Sequence, residues 1–146
     1  MALATAMSKR ERVQAAVRGE EVDRPPFSFW HHFRPFGLAR VLAEATVDFF
    51  GRYDLDIYKI MPDLPYPFPR QSITALKDWH LLVPLSAEVG NFSRVVATVR
   101  GVRQVVGPDV PIVVTVFSPI TEVLHFAGLD LLRRHIQEDP ATIHGA

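Results

Sequence analysis

Residues 54–63 read DLDIYKIMPD, and the interpretation of this stretch governs the expected fold. Apolar side chains alternate with polar ones, as in a strand with one buried face. The stretch then closes on a lysine, a proline and an aspartate. Ile57, Lys59 and Met61 fall on one side of such a strand, so Lys59 and Asp63 are expected at its carboxyl end.

The neighbouring segments set this strand in an alternating pattern. Upstream, SKRERVQAAVRG (8–19) predicts a helix, with Ser8 and Glu11 at capping-box spacing and Gly19 as its stop. VDRPP then enforces an extended path into FSFWHHF (27–33), an aromatic-rich run expected to be the first strand. In GLARVLAEATVDFFGRYD (37–54), Leu38, Leu42, Ala45 and Phe49 recur at helical spacing. Downstream, Pro65, Pro67 and Pro69 mark an extended surface segment, because proline cannot donate to a ladder. Phe92, Val95, Val96, Val99, Val102 and Val106 predict a further helix. VPIVVTVF (110–117) is a continuous β-branched run, expected to be a parallel strand covered on both faces. SPITEVLHFAG and LDLLRRHIQEDP predict helices, with Ser118 as the cap of the first and Glu122 in its first turn.

This order implies an α/β protein with about three parallel strands and flanking helices. A doubly wound sheet and part of a β/α barrel both fit. Neither GxGxxG nor GxxxxGK occurs, which counts against a dinucleotide fold. The 146 residues carry equal numbers of acidic and basic groups, with no basic cluster. No nucleic-acid or membrane-surface partner is therefore expected. There is no cysteine, so disulfides and thiolate metal sites are excluded within the chain. The start MALATAMSKRERV has no long apolar run and reads as no signal peptide; a cytoplasmic location is expected.

Chemistry in α/β folds gathers where strands end. The candidates are thus His31 and His32, then Lys59 and Asp63, then Ser118. The two histidines point to opposite faces, so at most one enters a shared site, and His31 is taken as the candidate. His125 lies in the helix after the third strand. Trp30 and Trp79 read as packing residues. No nucleophile elbow and no HExxH is present.

RVQAAVRGEEVDRPPFSFW, FFGRYDLDIYKIMPDLPYPF and VPIVVTVFSPITEVLHFAG resemble, in this order, N-terminal segments of the uroporphyrinogen decarboxylase family. HIQEDPATIHGA resembles that family's helix with its DP step. The resemblance implies a (β/α)8 TIM barrel, of which residues 8–146 would be the N-terminal part, preceded by disordered residues 1–7. A whole barrel takes about 250 residues. A partial one would leave strand edges and helix faces open, which favours homo-oligomers. The implied activity is decarboxylation of uroporphyrinogen III to coproporphyrinogen III in haem biosynthesis, without metal or cofactor, with this short chain inactive by itself. The small-molecule substrate would be a tetrapyrrole or another carboxylate.

Asp63 matches the family's aspartate that gathers pyrrole N–H groups, and so is the implied catalytic residue. His31 stands where the family has its first substrate-binding arginine, Arg34 lies near the second, and His125 occupies a position typical of tyrosine. With Lys59, these are the expected substrate-binding residues. The replacements imply a divergent branch with another substrate. The alternatives are the corrinoid and coenzyme M methyltransferase branch, marked by a His-x-Cys…Cys zinc pattern, and a non-catalytic binding or assembly fragment.

Overall fold

A computed structural model describes residues 6–33, 38–61 and 63–146. Helix accounts for 53% of it, and the described residues hold two strands. The expected α/β class with three parallel strands of a barrel is therefore corrected: the protein is mainly α-helical. The strands are β1 (Tyr58–Ile60) and β2 (Ile112–Val114). They pair in parallel, with Tyr58 opposite Ile112 and Ile60 opposite Val114. The helices are α1 (Lys9–Arg18), α2 (Ala39–Arg52), α3 (Gly90–Val106), α4 (Pro119–Ala127), α5 (Leu129–Glu138) and α6 (Pro140–Gly145), with a 3-10 helix at Leu76–Leu81. No helix among the described residues is long and apolar enough to cross a membrane. The residues form two units. One is Met1–Leu64 with Arg94–Thr115, and the other is Pro65–Ser93 with Val116–Ala146.

In the first unit, α1 begins as its capping box dictates. The Ser8 hydroxyl accepts from the Glu11 N–H, and the Glu11 carboxylate accepts from the Ser8 N–H. Gly19 ends the helix at φ 71°, a left-handed cap that suits glycine. The buried face of α2 is Ala43, Thr46 and Phe50, one position along from the expected stripe. Thr46 can be buried because its hydroxyl donates to the Leu42 carbonyl one turn back (2.7 Å). Thr98 on α3 does the same with Arg94 (2.8 Å). These helices pack with β1 and β2 around Phe50, Leu55, Tyr58, Ile60 and Val102. Fully burying a side chain such as Phe50 is worth about 1.5–3 kcal/mol.

The expected first strand, residues 27–33, is extended but forms no strand. The reason lies in its hydrogen bonds. The Phe27 N–H donates to the Asp56 carboxylate (3.0 Å), and the Ser28 hydroxyl donates to the Ile57 carbonyl (2.7 Å). Side chains thus take groups that a ladder would need, and the Asp56 N–H to Phe27 carbonyl bond is what remains of backbone pairing. The apolar run 110–117 is likewise a strand for three residues rather than throughout. It is not covered on both faces: Val113 is 44% exposed.

Asp56 is fully buried and ties α1 and residues 24–27 to its own segment. Arg12 of α1 donates to it (2.6 Å), and so does Arg24. Arg12 also grips Asp23 through Nε (2.6 Å) and Nη2 (2.8 Å), and bonds the Met7 carbonyl. Burial works to raise the Asp56 pKa, but the bonds from Arg24, the Phe27 N–H and Arg12 outweigh it and hold it below the usual range. The Arg12 guanidinium and the Met7 N–H hold Asp23 far below it. Arg12 in turn is raised, first by its bond to Asp23. The network anchors residues 27–33 beside β1. The expected disorder of residues 1–7 falls, for 1–5, outside the described residues; Met7 is held by Asp23 and Arg12.

The second unit packs Ile73, Trp79 and Leu132 with Phe68, Leu124 and Phe126. The Trp79 indole donates to Nδ1 of the buried His135 (2.9 Å). Asp78 accepts from the Thr74 and Ala75 N–H groups, the Thr74 hydroxyl and Arg70. The two backbone bonds lead in bringing its pKa to about 2. Along the proline segment, the Tyr66 hydroxyl accepts from the Val83 N–H and donates to the Val83 carbonyl. Ser118 caps α4 by accepting from the Thr121 N–H (3.2 Å).

Candidate functional site

Extended backbone sends successive side chains to opposite sides, and residues 27–33 obey this. His31 and Phe33 share one side, with ring centroids 4.8 Å apart. Trp30 and His32 share the other, at 6.1 Å. The two sides meet different surroundings. His31 stacks on Phe49 of α2, at 4.7 Å with planes 17° apart. His32 reaches Asp63, its Nδ1 lying 2.7 Å from a carboxylate oxygen. Lys59 projects from β1 so that its ammonium lies 4.7 Å from the centre of the Trp30 ring. A cation over an indole face is an electrostatic attraction, worth about 0.5–1 kcal/mol at an exposed site. Trp30 is 62% exposed and, with Ser28, Phe29 and Lys59, lines an open cleft.

Asp63 is the unusual member. Its backbone is left-handed, at φ 49°. Asp tolerates this region better than most residues, but at a cost. Its direction is therefore set by that backbone conformation and not by strand alternation, since β1 ends at Ile60. The side chain is only 17% exposed. One oxygen takes the His32 bond, while Oδ2 is buried and has no hydrogen-bond partner among the described residues. A buried carboxylate oxygen in that condition costs free energy until a donor reaches it.

The structure thus joins Lys59 to Trp30, Trp30 to His32 and His32 to Asp63. Of the other candidates, His31 belongs to the aromatic packing on α2. His125 is exposed on α4 in the other unit. Arg34 lies outside the described residues. His32 is the member that sequence reasoning passed over. The i, i+2 relation to Trp30 was visible, but which face met Asp63 depended on Phe49 of α2 holding His31. A larger groove runs between α2 and α3, lined by Ala43, Val47, Ala97 and Gly101. On its rim Arg40 and Glu44 pair with each other (2.6 Å). Its lining holds no histidine, whereas Asp63 meets an imidazole. Among the described residues no group of three or more His, Cys, Asp or Glu side chains is placed to hold a metal ion.

No protein-family model, no curated protein and no solved structure matches this chain.

Proposed function

We propose that this protein binds a porphyrinogen-type ligand in the manner of the uroporphyrinogen decarboxylase family, with Asp63 accepting pyrrole N–H groups. The observation that carries the reading is the buried Oδ2 of Asp63, without a partner among the described residues, at the end of a series of contacts that runs through His32 and the exposed Trp30 to Lys59. An ionised carboxylate can accept several N–H bonds, and bonds to a charged acceptor are the strong ones. Lys59 supplies the cation that a ligand carboxylate requires. Its charge already sits over Trp30, so moving it to a ligand costs a cation–π contact and gains an ion pair.

The chain by itself is proposed to bind without turnover, since the arginines that hold several carboxylates in the family are not matched at His31. The test is anaerobic titration of the pure chain with uroporphyrinogen III, comparing wild type with Asp63→Asn. Asn keeps the size and removes the charge. Hydrogen bonds to a charged group contribute about 1.5–3 kcal/mol, so affinity should fall roughly 10- to 100-fold. Equal affinity in both proteins would remove Asp63 from ligand binding.

A further inference from the structure

We propose that His32 and Asp63 form a proton-transfer dyad whose exchanging atom is Nε2 of His32; this rests on the reading that the ligand seats at Asp63. With the carboxylate ionised, Asp63 can only accept, so the 2.7 Å contact assigns a proton to Nδ1 of His32. The neutral ring then carries its free lone pair on Nε2. No bond from Nε2 is formed among the described residues, and the His32 side chain is 54% exposed.

An ordinary surface ion pair does not account for the arrangement. Such a pair contributes about 0–1 kcal/mol, whereas a non-glycine residue held in the left-handed region costs on the order of 1–3 kcal/mol. Here the carboxylate is mostly buried, its backbone is left-handed and its second oxygen has no donor among the described residues. The left-handed backbone at Asp63 costs stability, and the carboxylate it carries meets one imidazole. A carboxylate so placed fixes the tautomer and steadies the imidazolium once it forms.

The step balances simply. A proton leaves a carbon or nitrogen of the ligand, the bonding pair stays on the ligand, and Nε2 forms the new N–H bond. In reverse, Nε2–H returns the proton to that carbon or nitrogen and the ring recovers its lone pair. The chemistry is thus proton exchange between a seated ligand and Nε2 of His32.

The test uses the full chain. Long-range 1H–15N NMR reads the His32 tautomer without any substitution, and Nδ1–H with bare Nε2 is expected. Diethyl pyrocarbonate, followed by peptide mass spectrometry, reads the nucleophilicity of His32 against Asp63→Ala. In wild type, acylation of His32 should be at least several-fold faster. An Nε2–H tautomer, or equal acylation rates in folded wild type and variant, overturns the dyad. Neither readout involves a porphyrinogen. A dyad that forms in a protein with no affinity for uroporphyrinogen III would therefore reject the ligand reading and leave the acid–base pair standing.

Discussion

The Arg12 guanidinium lies 2.6 Å from the Asp56 carboxylate, and both side chains are almost wholly withdrawn from water. Breaking such a buried pair costs up to about 3–5 kcal/mol, with Arg12 keeping its two bonds to Asp23. Asp56→Ala additionally frees the Phe27 N–H and Arg24. Urea unfolding should show a loss of that size. Asp48→Ala is the control. It breaks an exposed pair with Arg52 (3.1 Å), worth about 0–1 kcal/mol, and should leave the midpoint nearly unchanged.

The same carboxylates set the response to acid. Asp23, Asp56 and Asp78 all have folded pKa values below their ordinary ones. Their stabilisation is fully present above the unfolded pKa of about 4. It is lost as pH falls from there through the folded values, which for Asp78 is about 2. Unfolding midpoints should therefore fall steeply below pH 4. Asp56→Asn should flatten the acid limb, because one linked proton is removed.

Local features were legible in the sequence where one residue type does one job. The Ser8–Glu11 box, the Gly19 stop and the Ser118 cap form from neighbours within three or four residues of each other. Strand extent was not legible. FSFWHHF has strand composition, yet whether it joins a ladder depended on Asp56, some thirty positions away, taking the Phe27 N–H. The buried face of α2 shifted by one residue because threonine can satisfy its own hydroxyl within a helix, so Thr46 faces the core. At the site, Asp63 could be singled out from its place after a strand. The choice of His32 over His31 required knowing what lay on each side of the extended segment.

Trp79 and His135 form the polar pair of the second unit's core. Trp79→Phe leaves Nδ1 of His135 buried without its donor, which costs about 1–3 kcal/mol beyond the loss of ring area. His135→Leu strands the indole N–H in the same way. Removing both polar groups removes the penalty, so the double variant should be more stable than the sum of the singles. Thermal unfolding of all four proteins gives the coupling energy, and strict additivity would deny that the bond matters.

Gly101 allows α2 and α3 to approach. A Cβ at that position would lie 3.0 Å from Cβ of Ala43, tighter than ordinary contact. Ala for Gly gains about 1 kcal/mol of helix propensity, which offsets part of the crowding. Gly101→Ala should therefore change stability little. Gly101→Val adds more bulk for a smaller gain and should cost about 1–3 kcal/mol. Gly101→Val with a wild-type melting temperature would show that the helices separate freely.

At Asp63 the proposed ligand role and stability should part. Its φ of 49° is strained for aspartate and unstrained for glycine. Asp63→Gly also removes a buried oxygen that has no partner among the described residues. Against these gains stand the lost His32 contact, which is exposed on the imidazole side and weak, and the greater freedom of glycine in the unfolded chain. The net effect should be neutral to stabilising by about 1 kcal/mol. Ligand affinity should fall at least as far as in Asp63→Asn, since the acceptor itself is gone. Melting temperature and uroporphyrinogen titration on the same sample decide the matter. A variant that is both less stable and equally avid would mean that Asp63 holds the loop together and nothing more.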